Sequence, residues 1–207
     1  MNDVYYTLSF IALYKFFNID ELIDVRKSSR VISIIMCTAM ITGSTYSLIN
    51  SDYTSKIWDH TVMVGKVYTL LDTYFVVTNY NKFKNMFKEM MLHHTILYLI
   101  FMNHHVNPPT LAKGLYVELS TIFLNFGWFM IKLGMQKTML FNINSALLLI
   151  SYFIFRVVGF TSLFIYEDLP TYIRCLLLPL LLLNYYWFTL LCRKSLYLLG
   201  NNEIKIE

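Results

Sequence analysis

The sequence predicts an all-α fold, a polytopic membrane bundle of six to seven transmembrane helices. Three observations carry this. Of the 207 residues, 57% are hydrophobic and only 14% charged, where a soluble domain carries roughly 25% charged residues. The apolar residues gather into seven runs, most of them near the ~20 residues that cross the hydrocarbon as a helix. The linkers between the runs alternate between rich and poor in Lys and Arg. Nothing in this composition leaves room for an attached soluble module.

The runs lie at about 4–17, 31–50, 61–80, 91–106, 111–131, 139–166 and 172–192. The first is short, so it either crosses or lies along the interface. It follows Met1-Asn2-Asp3 with no basic residue and no small-residue cleavage site, so a removable signal peptide is not expected. The chain thus divides into an N-terminal segment (1–30), a membrane domain (31–192) and a tail (193–207). One set of linkers and flanks carries Lys15, Arg26, Lys27, Arg30, Lys82, Lys84, Lys88, Lys132, Lys137, Arg193, Lys194 and Lys205. The alternate set carries only Lys56, Lys113 and Arg174. Basic loops stay cytoplasmic, which places the C-terminus inside. Asn107-Pro108-Pro109 is the clearest loop signal on the far side. Cys37, Cys175 and Cys192 show no CxxC or Cys/His spacing, so neither a disulfide nor a zinc site is expected.

Four charges remain inside the runs: Lys66, Asp72, Glu118 and Arg156. Lys66 is nearest a span end and is placed to snorkel. A charge at the bilayer centre costs roughly 2.5–3.5 kcal/mol even on the insertion scale, so such residues turn inward and pair. Charge balance suggests Asp72 with Arg156. Asp72, Glu118 and Arg156 each have polar company at helical spacing. Tyr68, Asp72 and Asn79 share a face, as do Glu118, Thr121, Asn125 and Trp128; Tyr152 accompanies Arg156, and Asn184 accompanies Trp187. Polar groups in bundles also act as interhelical glue at about 0.6 kcal/mol each. That reading suits Thr121, Asn125 and Asn184 better than the charged residues.

His93 and His94 are adjacent, just inside the fourth run. His104 lies near the face of His93 but about 16 Å along the axis, too far for one metal with ligand bonds of about 2 Å. His104 and His105 are read as marking the far interface. For His93 and His94 three roles stay open: general base or nucleophile, anchor for a lipid headgroup, or interhelical hydrogen bonding.

In order along the chain stand Arg30-Val-Ile-Ser33, Tyr68-x-x-x-Asp72, Leu92-His93-His94, Glu118-x-Ser120-Thr121-x-x-Leu124-Asn125, Asn144, Phe155-Arg156 and Asn184-Tyr185-Tyr186-Trp187-Phe188. On these pieces the chain resembles the TLC-domain family, the membrane domain of ceramide synthases and several lipid-homeostasis proteins. The resemblance implies six or seven helices around a lipid-accessible cavity in an endoplasmic-reticulum-type membrane, with Asp72, His93, His94, Glu118 and Arg156 at that cavity. Ceramide synthases carry H-D-x-x-D on the next span, where this chain reads Tyr116-Val-Glu118-Leu-Ser120-Thr121. The His common after the Ser of the second span is also absent, since Ser33-Ile-Ile-Met36-Cys37 stands there. The chain is therefore more similar to the non-synthase branch.

The leading expectation is a lipid-binding or lipid-homeostasis protein. It has membrane lipids as partners, no nucleic acid and no cofactor, and its ligand is held by Tyr68, Asp72, Glu118, Asn125, Arg156, Asn184 and Trp187. The alternative is an acyltransferase using acyl-CoA as co-substrate. In it His93 or His94 serves as base or acyl acceptor, oriented by Asp72 or Glu118. A transporter or channel stands third, because no internal repeat or broken helix pair supports alternating access.

Overall fold

The computed structural model describes the backbone of residues 25–200 and the side chains of residues 29–195 apart from Lys82. The run at 4–17 and residues 201–207 of the tail lie outside these residues. Among the described residues there are six long helices: α1 (Val25–Asn50), α2 (Lys56–Thr78), α3 (Phe87–Met102), α4 (Pro108–Lys132), α5 (Met139–Tyr166) and α6 (Thr171–Gly200). They match the second to seventh apolar runs. A short turn of helix, Tyr80–Phe83, joins α2 to α3.

The ends follow local chemistry. Ser55 caps α2 by accepting the amide of Trp58, and Thr138 caps α5 by accepting that of Phe141. The Asn107-Pro108-Pro109 loop signal is the start of α4. Asn107 accepts the amide of Thr110 and the prolines occupy the first turn, where a missing N–H costs nothing. At the other end of α4 the chain reverses through Gly134 at φ 71°, a left-handed position suited to glycine. The Met135 amide there bonds the Met130 carbonyl at 2.8 Å.

Among the described residues four helices are long and apolar enough to cross a membrane: 29–50 within α1, α4, α5 and 171–195 within α6. The other two fall short for separate reasons. α2 carries Lys56, Asp59, Lys66 and Asp72, and α3 has 16 residues. Exposed Leu, Ile, Phe and Tyr side chains cover the outside of the bundle. Water would penalise so apolar a surface, whereas lipid does not.

Each helix packs on two neighbours, and the order around the bundle is α1, α2, α3, α6, α5, α4, back to α1. Close approach between neighbours needs small residues in places. A Cβ on Gly43 would strike Thr61, and one on Gly65 would enter the Phe101 ring. Two apolar clusters line the interior. One joins Cys37, Met40, Trp58, Val62, Phe101 and Leu115, and the other joins Ile96, Val117, Phe160 and Leu169 to Ile173, Leu177 and Leu180 of α6.

Candidate functional site: a polar core and two cavities

Arg156 is the hub of the interior. It sits in a π-helical segment of α5, Tyr152–Gly159, the kind of widened turn that recurs at functional sites. Gly159 fits that turn because its missing Cβ would meet the Ile154 carbonyl oxygen at 3.0 Å. Arg156 is 5% exposed, and each of its three nitrogens donates a hydrogen bond. Nε donates to the Val117 carbonyl at 3.1 Å and to Ser120 Oγ at 2.7 Å. Nη1 reaches Asn184 Oδ1 at 3.4 Å and Nη2 reaches Thr121 Oγ1 at 2.8 Å. Nη2 also stands 3.9 Å from Glu118 Oε2, and the guanidinium lies 5.3 Å from the centre of the Tyr152 ring. Arg156 thus pairs with Glu118 and not with Asp72, the partner suggested by charge balance.

From Glu118 the network runs toward the basic end of the bundle. Cys37 Sγ donates to Glu118 Oε2 at 3.3 Å. One turn away Ser33 Oγ meets Tyr68 OH at 2.8 Å and accepts from Asn125 Nδ2 at 2.9 Å. Arg30 Nη1 donates to Asn125 Oδ1 at 2.8 Å, and its guanidinium stacks 4.8 Å over Trp128. The stripe Glu118, Thr121, Asn125, Trp128 therefore lies along one continuous polar seam between α1, α4 and α5. The sequence reading missed Ser33, Cys37 and Ser120. Their signal was present, since Arg30, Ser33 and Cys37 follow helical spacing on one face of α1.

The histidines stand apart from this seam. His94, 6% exposed, places Nε2 at 3.0 Å from Asp72 Oδ2. Among the described residues His94 Nδ1 is buried without a hydrogen-bond partner, as are His93 Nδ1 and Trp187 Nε1. The rings of His93 and Trp187 meet edge to face at 5.2 Å. Asn79, grouped with Tyr68 and Asp72 by spacing, caps the end of α2, its side chain donating to the Phe75 carbonyl at 3.1 Å.

Two cavities open on this framework. The larger, with an empty volume of about 890 Å³ that includes its mouth, runs between the helices in the half away from the basic end. Its walls are apolar, among them Leu97, Phe101, Leu111, Leu115, Phe160 and Leu177. Tyr68 and Glu118 face it on one side, and Asn103, His104, Asn107 and Thr110 stand toward the far loops. The hydrogen bond and the ion pair of Glu118 both fall on Oε2; among the described residues Oε1 takes no hydrogen bond. The smaller is a shallow cleft between α1 and α2, lined by Ser29, Ile32, Tyr68, Leu71, Asp72 and Phe75. Of the residues singled out from sequence, Tyr68 and Glu118 line the larger cavity, and Tyr68 and Asp72 the smaller. His93, His94, Asn125, Arg156, Asn184 and Trp187 stand behind these walls.

A clasp closes the far end. Glu167, in the α5–α6 loop, accepts Lys113 Nζ at 2.6 Å on one oxygen and Thr110 Oγ1 at 2.8 Å on the other. These two bonds hold its carboxyl below the usual range. Leu169 of the same loop is buried and dips into the larger cavity. His104, at the mouth, is held below the ordinary imidazole range by partial burial, then by Lys66 and His105. Among the described residues no group of three or more His, Cys, Asp or Glu side chains is placed to hold a metal.

A helical ring with an apolar exterior, paired charges inside and cavities between its helices defines a multi-pass membrane protein. The TLC domain family (TRAM/LAG1/CLN8) matches residues 26–193. The chain belongs to that family, as the motifs had suggested. No curated protein and no solved structure matches it.

Proposed function

We propose that this protein binds a lipid chain within the ring and acts in membrane lipid homeostasis. The observation that carries the reading is the larger cavity, apolar along its walls and with a buried carboxylate, Glu118, facing it. Ordinary ligand sites likewise combine apolar walls with a few placed polar groups. In this reading all six helices cross an endoplasmic-reticulum-type membrane, with the basic end and the C-terminus in the cytoplasm. The departures at Tyr116-Val-Glu118 and Ser33–Cys37 support a place in the non-synthase branch.

Gly114 gives a direct test. It lines the cavity, and a Cβ there would meet only Leu163 Cδ1 at 3.8 Å, so Gly114→Phe has room to enter the space one helical turn from Glu118. Native mass spectrometry of purified protein should show co-purifying single-chain lipid on the wild type and roughly tenfold less on the variant, a loss of about 1.4 kcal/mol. Equal occupancy on both would rule out the cavity as the site.

One observation favours a second reading, an acyl-CoA-dependent lipid acyltransferase. The Asp72–His94 contact orients the imidazole, and Nδ1 is left without a partner among the described residues, the arrangement by which a carboxylate prepares a histidine as a base. Incubating the purified protein with radiolabelled acyl-CoA and extracted membrane lipids tests it. Acyl transfer abolished by His94→Ala supports the enzyme, and the absence of transfer by the wild type removes it.

A further inference from the structure

Two loops roof the far end of the larger cavity. The α3–α4 turn contributes Asn103, His104 and Asn107, and the α5–α6 loop contributes Leu169. In that second loop Asp168 and Pro170 are exposed, while Leu169 between them is 7% exposed. Leu169 joins the cluster of Val117, Phe160, Ile173 and Leu177, which are themselves cavity walls. Four side chains hold the loop down. Thr110 and Lys113 of α4 take the two carboxyl oxygens of Glu167. Arg174 Nη2 donates to the Glu167 carbonyl at 3.0 Å, and Asn107 Nδ2 reaches the Asp168 carbonyl at 3.4 Å. The last bond joins the two loops across the mouth, and all four end beside Leu169.

We infer that the α5–α6 loop is a lid on the larger cavity, that Leu169 is its plug, and that the lipid chain enters and leaves by this far mouth. This rests on the lipid-binding reading above. Magnitudes favour the loop over the walls. A net hydrogen bond multiplies a closing equilibrium by roughly two- to tenfold, and an ion pair reaching water, as that of the exposed Lys113 does, adds at the low end of such a range. Segments held by a few contacts of this kind open locally, whereas core helices part only with wider unfolding. The other walls are helices packed through the two apolar clusters and, between α4 and α5, through the Arg156 bonds. Residues 167–170 lie between two helix ends: Glu167 is extended at φ −78° and ψ 141°, and α6 starts at Thr171. The lid can therefore lift while α5 and α6 stay in place.

The test uses the full-length protein in lipid nanodiscs, with Cys175→Ser and Cys192→Ser to remove the less buried thiols. Gly114→Cys sets a reporter beneath the lid, one helical turn from Thr110, where a Cβ has room. A charged, membrane-impermeant methanethiosulfonate should modify it slowly. Thr110→Val with Lys113→Met strips both side-chain partners from Glu167 and should speed modification by roughly tenfold; Leu169→Ala, which removes the plug, should act in the same direction. Exchange of radiolabelled monoolein is the second readout. The Thr110/Lys113 variant should exchange it roughly tenfold faster, and a short bismaleimide joining Thr110→Cys to Glu167→Cys should slow it below the wild-type rate. If monoolein binds but exchanges at one rate in the released, bridged and wild-type proteins, lipid binding stands and the lid is overturned, since entry then lies between helices. Thiol modification that ignores both the released clasp and Leu169→Ala also overturns it. If the wild type binds no monoolein, the lipid-binding reading falls and the entry route falls with it.

Discussion

Replacing Arg156 by Met keeps much of the side chain's bulk and removes its charge. Four hydrogen bonds disappear, to Val117, Ser120, Thr121 and Asn184. At the average of ~0.6 kcal/mol for interhelical polar contacts in membranes, they contribute about 2.4 kcal/mol. Glu118, 6% exposed, is then left as a buried charge without its cation, and breaking one side of such a pair costs about 3–5 kcal/mol in all. For a chain of this size each kcal/mol shifts the melting temperature by about 2–4 °C. Thermal unfolding in detergent, followed by monodispersity on size-exclusion chromatography, should therefore drop by about 6–20 °C. The decisive comparison adds Glu118→Gln. The glutamine amide oxygen still accepts the Cys37 thiol, but no charge is stranded, so the double variant should melt above Arg156→Met alone. Simple additivity, with the double lower than the single by the full decrement of Glu118→Gln, would refute the pairing.

Three further outcomes are expected. Gly65→Ala drives a methyl into the Phe101 ring and should lower stability by about 1–3 kcal/mol; Phe101→Leu should restore part of it in the same melting assay. Gly159→Ala crowds the Ile154 carbonyl and should cost about 1 kcal/mol or more. It should also loosen the π-helical turn, seen as faster amide exchange through residues 152–159. The Glu167 clasp depends on pH with a defined sign. Because its carboxyl is held low by Lys113 and Thr110, the clasp is intact above the ordinary carboxylate range and is lost as pH falls through the depressed value. Amide exchange of residues 167–169, corrected for intrinsic rates, should rise in acid, and Lys113→Met should produce the same rise at neutral pH.

The second to seventh apolar runs became α1 to α6 because hydrophobic run length is a local property. The inward stripes were legible for the same reason: helical spacing alone placed Glu118, Thr121, Asn125 and Trp128 on one face. Spacing does not say which stripes meet. That depends on the order of helices around the ring, in which α6 inserts between α3 and α5 and α4 returns to α1. This order brings Arg156 to Glu118 and Asp72 to His94, and it sets His93 against Trp187. Charge counting could not have distinguished these pairings from Asp72 with Arg156. The cavities were equally hidden, since they depend on where Phe101, Leu115 and Leu169 stop short of filling the interior. The π-helical turn left no mark that a period of 3.6 would reveal, although Gly159 supplied the room for it.

The order of the ring also bears on how the chain is made. Of the six described helices, α1 to α5 emerge first and can form only an open arc, α3-α2-α1-α4-α5, without the helix that packs on both of its ends. Until α6 leaves the ribosome, Arg156 lacks Asn184, His93 lacks Trp187, and the apolar flank carrying Ile96, Val117 and Phe160 lacks Ile173 and Leu177. The last helix is the keystone of the ring. Nascent chains that stall or terminate before residue 171 expose an arc of half-paired polar groups to lipid, a ready signal for membrane chaperones and degradation.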